Sequence, residues 1–360
     1  MDTEIVIDEI YEAAVVPGAW MRVLDRIAEI AGAEGTLLFA NGAERSHWMC
    51  STAIKPLVTD WLARPSPGEE ARGQRLVPIR EPRFLTDLDV FTREEMEADP
   101  YYSGFLRPRG FGWCVGTTIR SPAGDLLVFS SERKWDKGPV EREAIDRLDG
   151  LRPHLARAAV LSARFGLERA RASVDALQTI GLPAAVLTSG GRIVAANDSF
   201  GGGAPGVAIG AADKVGFASP AVQAMFVAAL EEADRRSTSR TGRSIAVRGD
   251  GEVPPLVAHL VPLRGGARDI FTGASSLLYL TAVTPGKALD VKLLEVLFDL
   301  TPAEARVASL MVEGRSVGDI AVAQGVTENA VRMHLKAIYA KTGVNRQAQL
   351  VSLLAAPVQK

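Results

Sequence analysis

Cationic side chains cluster near the carboxyl end of this sequence of 360 residues. Between residues 328 and 346 one carboxylate, Glu328, stands among four cations, which are Arg332, Lys336, Lys341 and Arg346. Guanidinium and ammonium groups make charge-assisted hydrogen bonds to phosphates and base edges. The chemistry offered by this segment is therefore recognition of a polyanion rather than cleavage of a bond.

The same segment has helical periodicity with two distinct faces. At about 100° per residue, Val331, Leu335 and Ile338 fall within about 60° of one another and predict a buried stripe. The opposite side carries Asn329, Met333 and Lys336, with Arg332 at its edge. Such a helix buries its apolar side and keeps its cations free for a ligand.

Local capping chemistry predicts four short helices here, at about 302–313, 317–324, 328–342 and 346–355. Thr301, Pro302 and Glu304 form the pattern of a capping box with proline at the first helical position. Gly325 falls between the second and third helices, where a helix-turn-helix has its turn. A helix behind such a turn enters the DNA major groove.

This stretch resembles the LuxR-type (GerE-like) helix-turn-helix. The matching positions are Leu300-Thr301, Glu304, Val307, Gly314, Ile320-Ala321, Gly325-Val326-Thr327, Val331, His334, Lys341 and Gly343-Val344. Gln324 and Thr342 depart from the family pattern, which usually has leucine at both positions. The resemblance implies an all-α, four-helix domain over residues 293–357 that binds double-stranded DNA.

The resemblance also implies roles for single residues. Arg332, Met333 and Lys336 are expected to face the bases. The positions expected near the DNA backbone are Thr327, Asn329 and Lys341. Arg346, one of the four local cations, is a further candidate for a DNA contact. In the family the fourth helix often supports dimerisation, which makes Gln349, Leu350 and Leu353 the candidates for a homodimer contact.

Upstream, residues 1–138 predict an α+β domain. Two helices precede Gly35, and strands follow at Thr36–Ala40, His47–Cys50, Trp113–Arg120 and Leu126–Ser130. The turn Ser121-Pro122-Ala123-Gly124 joins the last two strands as a hairpin, and the Pro-, Gly- and Arg-rich stretch Arg64–Arg83 is interpreted as a loop. The order resembles GAF- or PAS-like sensory domains in architecture only.

Residues 139–177 predict a long connecting helix. Apolar residues recur there at near-heptad steps, and Pro153 is expected to kink the helix or to start one. The segment is either a signalling or dimerising helix or a helix with a solvated charged face.

Residues 178–286 predict a second sensory domain, which resembles PAS. The expected strands are Leu182–Leu187, Arg192–Ala196, Ser244–Arg248, Pro255–Pro262 and Ser276–Val283, with a helix at about Ala221–Ala233. The triplet Gly201-Gly202-Gly203 is followed by no Gly-Lys-Ser/Thr, so it is interpreted as a flexible loop and not as a phosphate loop.

Composition bounds the alternatives. The formal net charge of −2 cannot supply nucleic-acid affinity through the overall field, so contact must be local. Cys50 and Cys114 form no CxxC, which fits a reducing cytoplasm and argues against zinc or iron–sulfur sites. No apolar run approaches the roughly 18 residues of a membrane span, and neither a cofactor nor a metal is expected.

Three functions follow from these patterns. The favoured one is a cytoplasmic, homodimeric, multidomain transcription regulator whose sensory domains bind a small molecule or a partner protein, with RNA polymerase as a further partner. A second is an enzyme with a regulatory tail, although no nucleophile elbow, paired metal ligands or dinucleotide fingerprint occurs upstream. A third is a protein-interaction module whose C-terminal helices bind no DNA.

Overall fold

The computed structural model describes residues 3–41, 46–64, 70–120, 126–203, 206–235, 242–249, 254–263, 270–283 and 290–354. The helices are α1 (Thr3–Val15), α2 (Trp20–Ala31), α3 (Lys55–Leu62), α4 (Ala71–Leu76), α5 (Arg93–Ala98), α6 (Arg142–Thr179), α7 (Asp198–Gly201), α8 (Pro220–Arg235), α9 (Val291–Phe298), α10 (Pro302–Val312), α11 (Val317–Gln324), α12 (Glu328–Thr342) and α13 (Gln347–Leu354). The strands are β1 (Gly35–Asn41), β2 (Ser46–Cys50), β3 (Leu85–Thr86), β4 (Phe111–Arg120), β5 (Leu126–Lys134), β6 (Ala184–Thr188), β7 (Ile193–Ala196), β8 (Val207–Ile209), β9 (Val215–Phe217), β10 (Arg243–Val247), β11 (Leu256–Pro262) and β12 (Ala274–Ala282).

The first sheet is antiparallel and has the order β2-β1-β5-β4-β3. Its register pairs Phe39 with Val128 and Thr117 with Phe129. Because side chains alternate across a strand, one face carries Leu38 and Phe129 into a core with α1, α2 and α6. The expected strands are confirmed, whereas the predicted turn at 121–124 lies outside the described residues.

The stretch Arg64–Arg83, predicted to be a loop, contains a helix. Residues 65–69 lie outside the described part, but Ala71–Leu76 form α4. The prediction was wrong because Arg72, polar by type, is 6% exposed and paired with two carboxylates distant in sequence. A composition rule counts that arginine as a surface residue.

Helix α6 links the two upstream regions. It runs from Arg142 to Thr179 with Pro153 inside it, so no separate helix starts at the proline. Its first half packs Leu148 and Leu155 into the core of the first sheet. Its last turns pack Ala170 and Val174 against β6 and β7.

The second sheet is antiparallel and has the order β10-β11-β12-β6-β7. Counted from the first strand of each, both sheets have the same order, with the first strand between the second and the last. Helix α8 covers one face through Phe226 and Leu230, which pack in one cluster with Leu278. All five expected strands occur, and the short β8–β9 hairpin was not predicted.

A side chain of the second region enters the core of the first. Phe271 is buried in the cluster formed by α1, α2 and α6, with its ring 5.0 Å from the Trp20 ring between centroids. Trp20 also donates from Nε1 to Ser162 Oγ on α6 at 3.2 Å. The core of the first region is therefore completed by a residue from outside it.

Residues 290–354 form a separate helical cluster. The four predicted helices occur as α10, α11, α12 and α13, with ends within two residues of the expected ones. The four-helix description is incomplete, because α9 precedes them and buries Leu294 in the same core. Helix α9 begins at residue 291, before the predicted boundary at 293, and was missed because Leu293, Val296 and Leu297 are exposed, which blurs its apolar face.

Asn197 joins α6 to the second sheet and provides the first testable prediction. Its Oδ1 accepts from Ala184 N at 3.1 Å and Phe200 N at 3.0 Å, and its Nδ2 donates to Val174 O and Leu182 O. Asn197→Ala removes these four side-chain hydrogen bonds, so we expect it to lower the free energy of unfolding by about 2–4 kcal/mol.

Chemical denaturation of the full chain measures this loss. The exposed neighbour Asp198 provides the control, since Asp198→Ala is expected to change stability by less than about 0.5 kcal/mol. Equal stability of the two variants would show that the Asn197 bonds contribute nothing.

Candidate nucleic-acid interface

A tight turn between α11 and α12 sets the direction of α12. Gly325 ends α11 in the left-handed region with φ of 65°, and its successor Val326 donates from its backbone N to Ala321 O at 3.0 Å. A residue with a Cβ is strained in that conformation, which explains glycine there. Thr327 then caps α12 by accepting from Ala330 N at 3.3 Å.

The two faces of α12 are as the sequence predicts. Val331, Leu335 and Ile338 are buried in the helical core, and none is more than 8% exposed. Met333 is 68% exposed, and Arg332 and Lys336 are exposed beside it. The helix therefore presents one apolar and two cationic side chains to solvent, with the core stripe behind them.

Arg332 has an ion pair that a ligand can replace. Its Nη2 lies 3.1 Å from Glu328 Oε2, one turn earlier on the helix, and both side chains are more than half exposed. An exposed pair of this kind contributes at most about 1 kcal/mol. An anion with better geometry can therefore take the guanidinium from Glu328.

Lys341 differs from the other cations, since its ammonium is used inside the domain. Its Nζ donates to Glu304 Oε2 and to Asp299 O, both at 2.8 Å. Glu304 Oε2 also accepts from Thr301 N at 2.7 Å, in the capping box at the start of α10. Lys341 thus ties α12 to the end of α9 and the start of α10.

The predicted phosphate and dimer residues are spread over different environments. Asn329 and Arg346 are exposed, as their proposed roles require. Gln349 is exposed but accepts from Asn345 N at 3.4 Å, and Leu353 is 42% exposed. Leu350 is fully buried in the helical core, so its side chain is not on the outer face of α13 where a partner would bind.

Sequence reasoning missed the anchor formed by Lys341, Glu304 and Asp299. The capping box was visible, but the second role of Glu304 depends on a residue 37 positions later. A local signal exists at Asp299, which ends α9 with φ of 52°, unusual for a residue with a Cβ. The hydrogen bond from Lys341 and the backbone hydrogen bond from Thr301 lower the pKa of Glu304 below its ordinary 4.5.

Taken together, α10 to α12 define a helix-turn-helix domain with a cationic, solvent-facing third helix. Residues 299–354 match the family model described as bacterial regulatory proteins, luxR family (GerE). The chain therefore carries a LuxR-family domain at its carboxyl end, in agreement with the sequence-based resemblance. No curated protein matches the sequence.

Solved structures of LuxR-type regulators show weak similarity. The N-acylhomoserine lactone dependent CepR2 of Burkholderia cenocepacia is 14% identical over 44% of this chain and 92% of its own, with a TM-score of 0.35. The VqsR ligand-binding domain of Pseudomonas aeruginosa is 14% identical over 45% of this chain and 95% of its own, with a TM-score of 0.34. SdiA of Escherichia coli is 11% identical over 94% of this chain and 89% of its own, with a TM-score of 0.31.

Neither a metal site nor a membrane-spanning helix is found in the described part of the chain. No group of three or more His, Cys, Asp or Glu side chains is arranged there to hold a metal ion. No helix there has the length and apolar character of a membrane span.

Lys341→Met tests the anchor. Removing the ammonium takes one of two donors from Glu304 Oε2 and removes the Lys341 donor from Asp299 O. We therefore expect the free energy of unfolding of the domain to fall by about 1 kcal/mol at pH 7. Because the folded pKa of Glu304 is lowered, this stabilisation is complete above pH 4.5 and is lost as the pH falls through the lowered pKa. The gap between the wild type and Lys341→Met should therefore narrow below pH 4.5.

Amide hydrogen exchange of α10 and α12 in the full chain gives the measurement. Lys336→Met is the matched control, since Lys336 is exposed on the same helix. If Lys336→Met and Lys341→Met exchange alike, the anchor has no role in stability.

Proposed function

We propose that the chain is a DNA-binding transcription regulator that inserts α12 into the major groove. The observation that supports this most directly is the exposure of Arg332, Met333 and Lys336 opposite the buried stripe of α12. Arginine and lysine pair with guanine O6 and N7, and an apolar side chain such as Met333 contacts a thymine methyl. These three residues are the proposed readers of sequence.

Contacts to the DNA backbone come from residues at the ends of α12. Thr327 and Asn329 begin the helix, whose amino end favours an anion. Arg346 is exposed just before α13. We assign Lys341 to positioning α12 instead of to a phosphate contact, because Glu304 and Asp299 already accept from its ammonium.

We further propose that the regulator binds DNA as a homodimer. One copy offers few phosphate contacts, and the chain as a whole has a net charge of −2. Two copies on adjacent half-sites double the local contacts without changing the overall field. The exposed residues Gln349 and Leu353 of α13 form the proposed contact, without the buried Leu350.

Regulation is assigned to the upstream regions of this cytoplasmic protein. Residues 1–138 and 178–286 are proposed as sensory domains of the GAF/PAS type, and residues 139–177 as the signalling helix between them. The shared strand order of the two sheets supports a common architecture. A ligand regulates such a chain only if it binds one arrangement of the domains better than another.

Replacing both recognition cations tests DNA binding. Arg332→Ala with Lys336→Ala removes contacts worth about 1–3 kcal/mol each, so affinity for a fragment selected from random DNA should fall about 30-fold or more. The slope of log affinity against log salt should change little, because neither cation is assigned to a phosphate. Fluorescence anisotropy over a salt series measures both quantities.

The control is Lys292→Ala, which removes an exposed cation from α9 in the same domain. It should leave the affinity and the salt slope unchanged, and thermal unfolding of both variants should match the wild type. If the wild type shows no salt-dependent affinity for any DNA, the protein-interaction function takes the place of this proposal.

A charged residue on α13 tests the dimer. Leu353→Lys places a cation in the proposed contact, opposite its own copy, so we expect the dimer dissociation constant to rise about tenfold. Sedimentation equilibrium of the full chain measures this constant. The exposed Ser352 is the neighbouring control position, and an equal effect of Ser352→Lys would place the contact elsewhere.

A further inference from the structure

The first region contains a cavity of about 430 Å³ that opens to its surface. It lies between the first sheet, α3, α4 and the helical turn Tyr101–Leu106. Small-molecule sites in proteins typically have volumes of about 300–1,000 Å³. The cavity is therefore large enough for a small organic ligand.

The alternation of β5 explains why a cavity forms on this face. Leu127 and Phe129 point into the core with α1, α2 and α6. Their neighbours Val128, Ser130 and Glu132 line the cavity on the other face. Because successive side chains point to opposite faces, one strand serves both a packed core and a ligand-sized space.

Most of the wall is apolar and aromatic. The sheet contributes Phe39, and Trp61 of α3 lies beside it with ring centroids 5.7 Å apart. Tyr101 and Phe105 also line it, with their rings stacked at 5.5 Å between centroids. A ligand there gains most of its binding free energy from an apolar body.

One end of the cavity carries buried charges. Arg72 donates from Nε to Asp87 Oδ1 at 2.8 Å and from Nη1 to Glu132 Oε2 at 2.9 Å. Asp87 also accepts from the Tyr102 hydroxyl at 2.5 Å and from Cys114 N at 2.6 Å. Asp87 is thus surrounded by donors, whereas Glu132 faces the cavity.

This buried cluster has one carboxylate more than it has cations. Burial lowers the pKa of Arg72, but the attraction of the carboxylates Asp87 and Glu132 outweighs it and raises the pKa well above the ordinary value. Burial raises the pKa of Cys114 and Tyr102, so both stay neutral. One guanidinium therefore faces the two carboxylates Asp87 and Glu132, and an excess buried charge is costly unless it is paired.

A ligand in the cavity can compensate the excess charge by contacting Glu132, which lines the cavity. Its Oε1 accepts one hydrogen bond in the structure, from Ser130 Oγ at 2.8 Å, and a carboxylate oxygen can accept two. A second carboxylate on the same wall, Glu70, accepts from Trp61 Nε1 at 2.8 Å. The polar end of the cavity is thus rich in acceptors.

We propose that this cavity binds an apolar small molecule whose head donates an N–H or O–H hydrogen bond to Glu132. A protonated amine satisfies the site best, because it also neutralises the excess charge. Arg72 offers little to an anionic head, since its guanidinium is already shared by Asp87 and Glu132. This proposal gives a ligand class for the sensory role proposed above. It rests on the proposed function only for the idea that ligand binding affects DNA binding.

Three probes with one apolar body test the head group: 4-phenylbutylamine, 4-phenylbutanol and 4-phenylbutyrate. Titration calorimetry of the full chain at pH 7 should show binding of the amine and the alcohol, with the amine tighter. The carboxylate should bind at least about tenfold more weakly than the amine, the size of one lost charge-assisted hydrogen bond. An amine that binds no tighter than the carboxylate, or no binding by any probe, overturns the proposal.

Two variants separate the head from the body. Glu132→Gln keeps the shape but removes the charge, so the amine should lose about tenfold in affinity while the alcohol changes little. Val128→Phe fills the cavity and should abolish binding of all probes. Circular dichroism and thermal unfolding establish that each variant is folded, and unchanged amine affinity in either folded variant contradicts the assignment.

DNA affinity measured without probes keeps this proposal distinct from the proposed function. Glu132→Gln and Val128→Phe lie far in sequence from α12 and should bind DNA as the wild type does. If a variant loses probe binding but keeps its DNA affinity, the result bears on the cavity proposal alone. If the wild type binds no DNA, the result contradicts the proposed function of α12 and leaves the cavity proposal unaffected.

Discussion

The exposure of the cationic face of α12 depends on the burial of its opposite face. Val331, Leu335 and Ile338 pack into a core shared with α10, α11 and α13, which fixes the rotation of the helix about its own axis. The turn at Gly325 fixes its direction and the Lys341 anchor its end. Because the rotation, the direction and the end of α12 are defined in this way, Arg332, Met333 and Lys336 point to solvent.

How much the sequence predicts depends on how local each interaction is. The starts of α10 to α12 were predictable because Thr301, Ser316 and Thr327 each cap the helix that begins at the next residue. The buried stripe of α12 was predictable from periodicity alone. The roles of Lys341 and Leu350 were not, since both depend on which neighbouring helix packs against them.

The first region shows the same limit more strongly. Strand β4 was predicted to within two residues, and the first five of the nine residues of β5 were predicted. The helix around Arg72 was not, because its partners Asp87 and Glu132 lie 15 and 60 residues away in sequence. The cavity next to Arg72 is thus a property of tertiary pairing, and no motif in the sequence marks it.

The two faces of β5 place the cavity next to a series of aromatic contacts. Phe129, between cavity-lining Val128 and Ser130, lies 6.2 Å from the Trp20 ring, and Trp20 in turn lies 5.0 Å from Phe271. Val128, Phe129 and Ser130 are consecutive in one strand, so the cavity wall and this series of rings share one stretch of backbone. The three aromatic rings therefore connect the strand that lines the cavity with a residue of the second region.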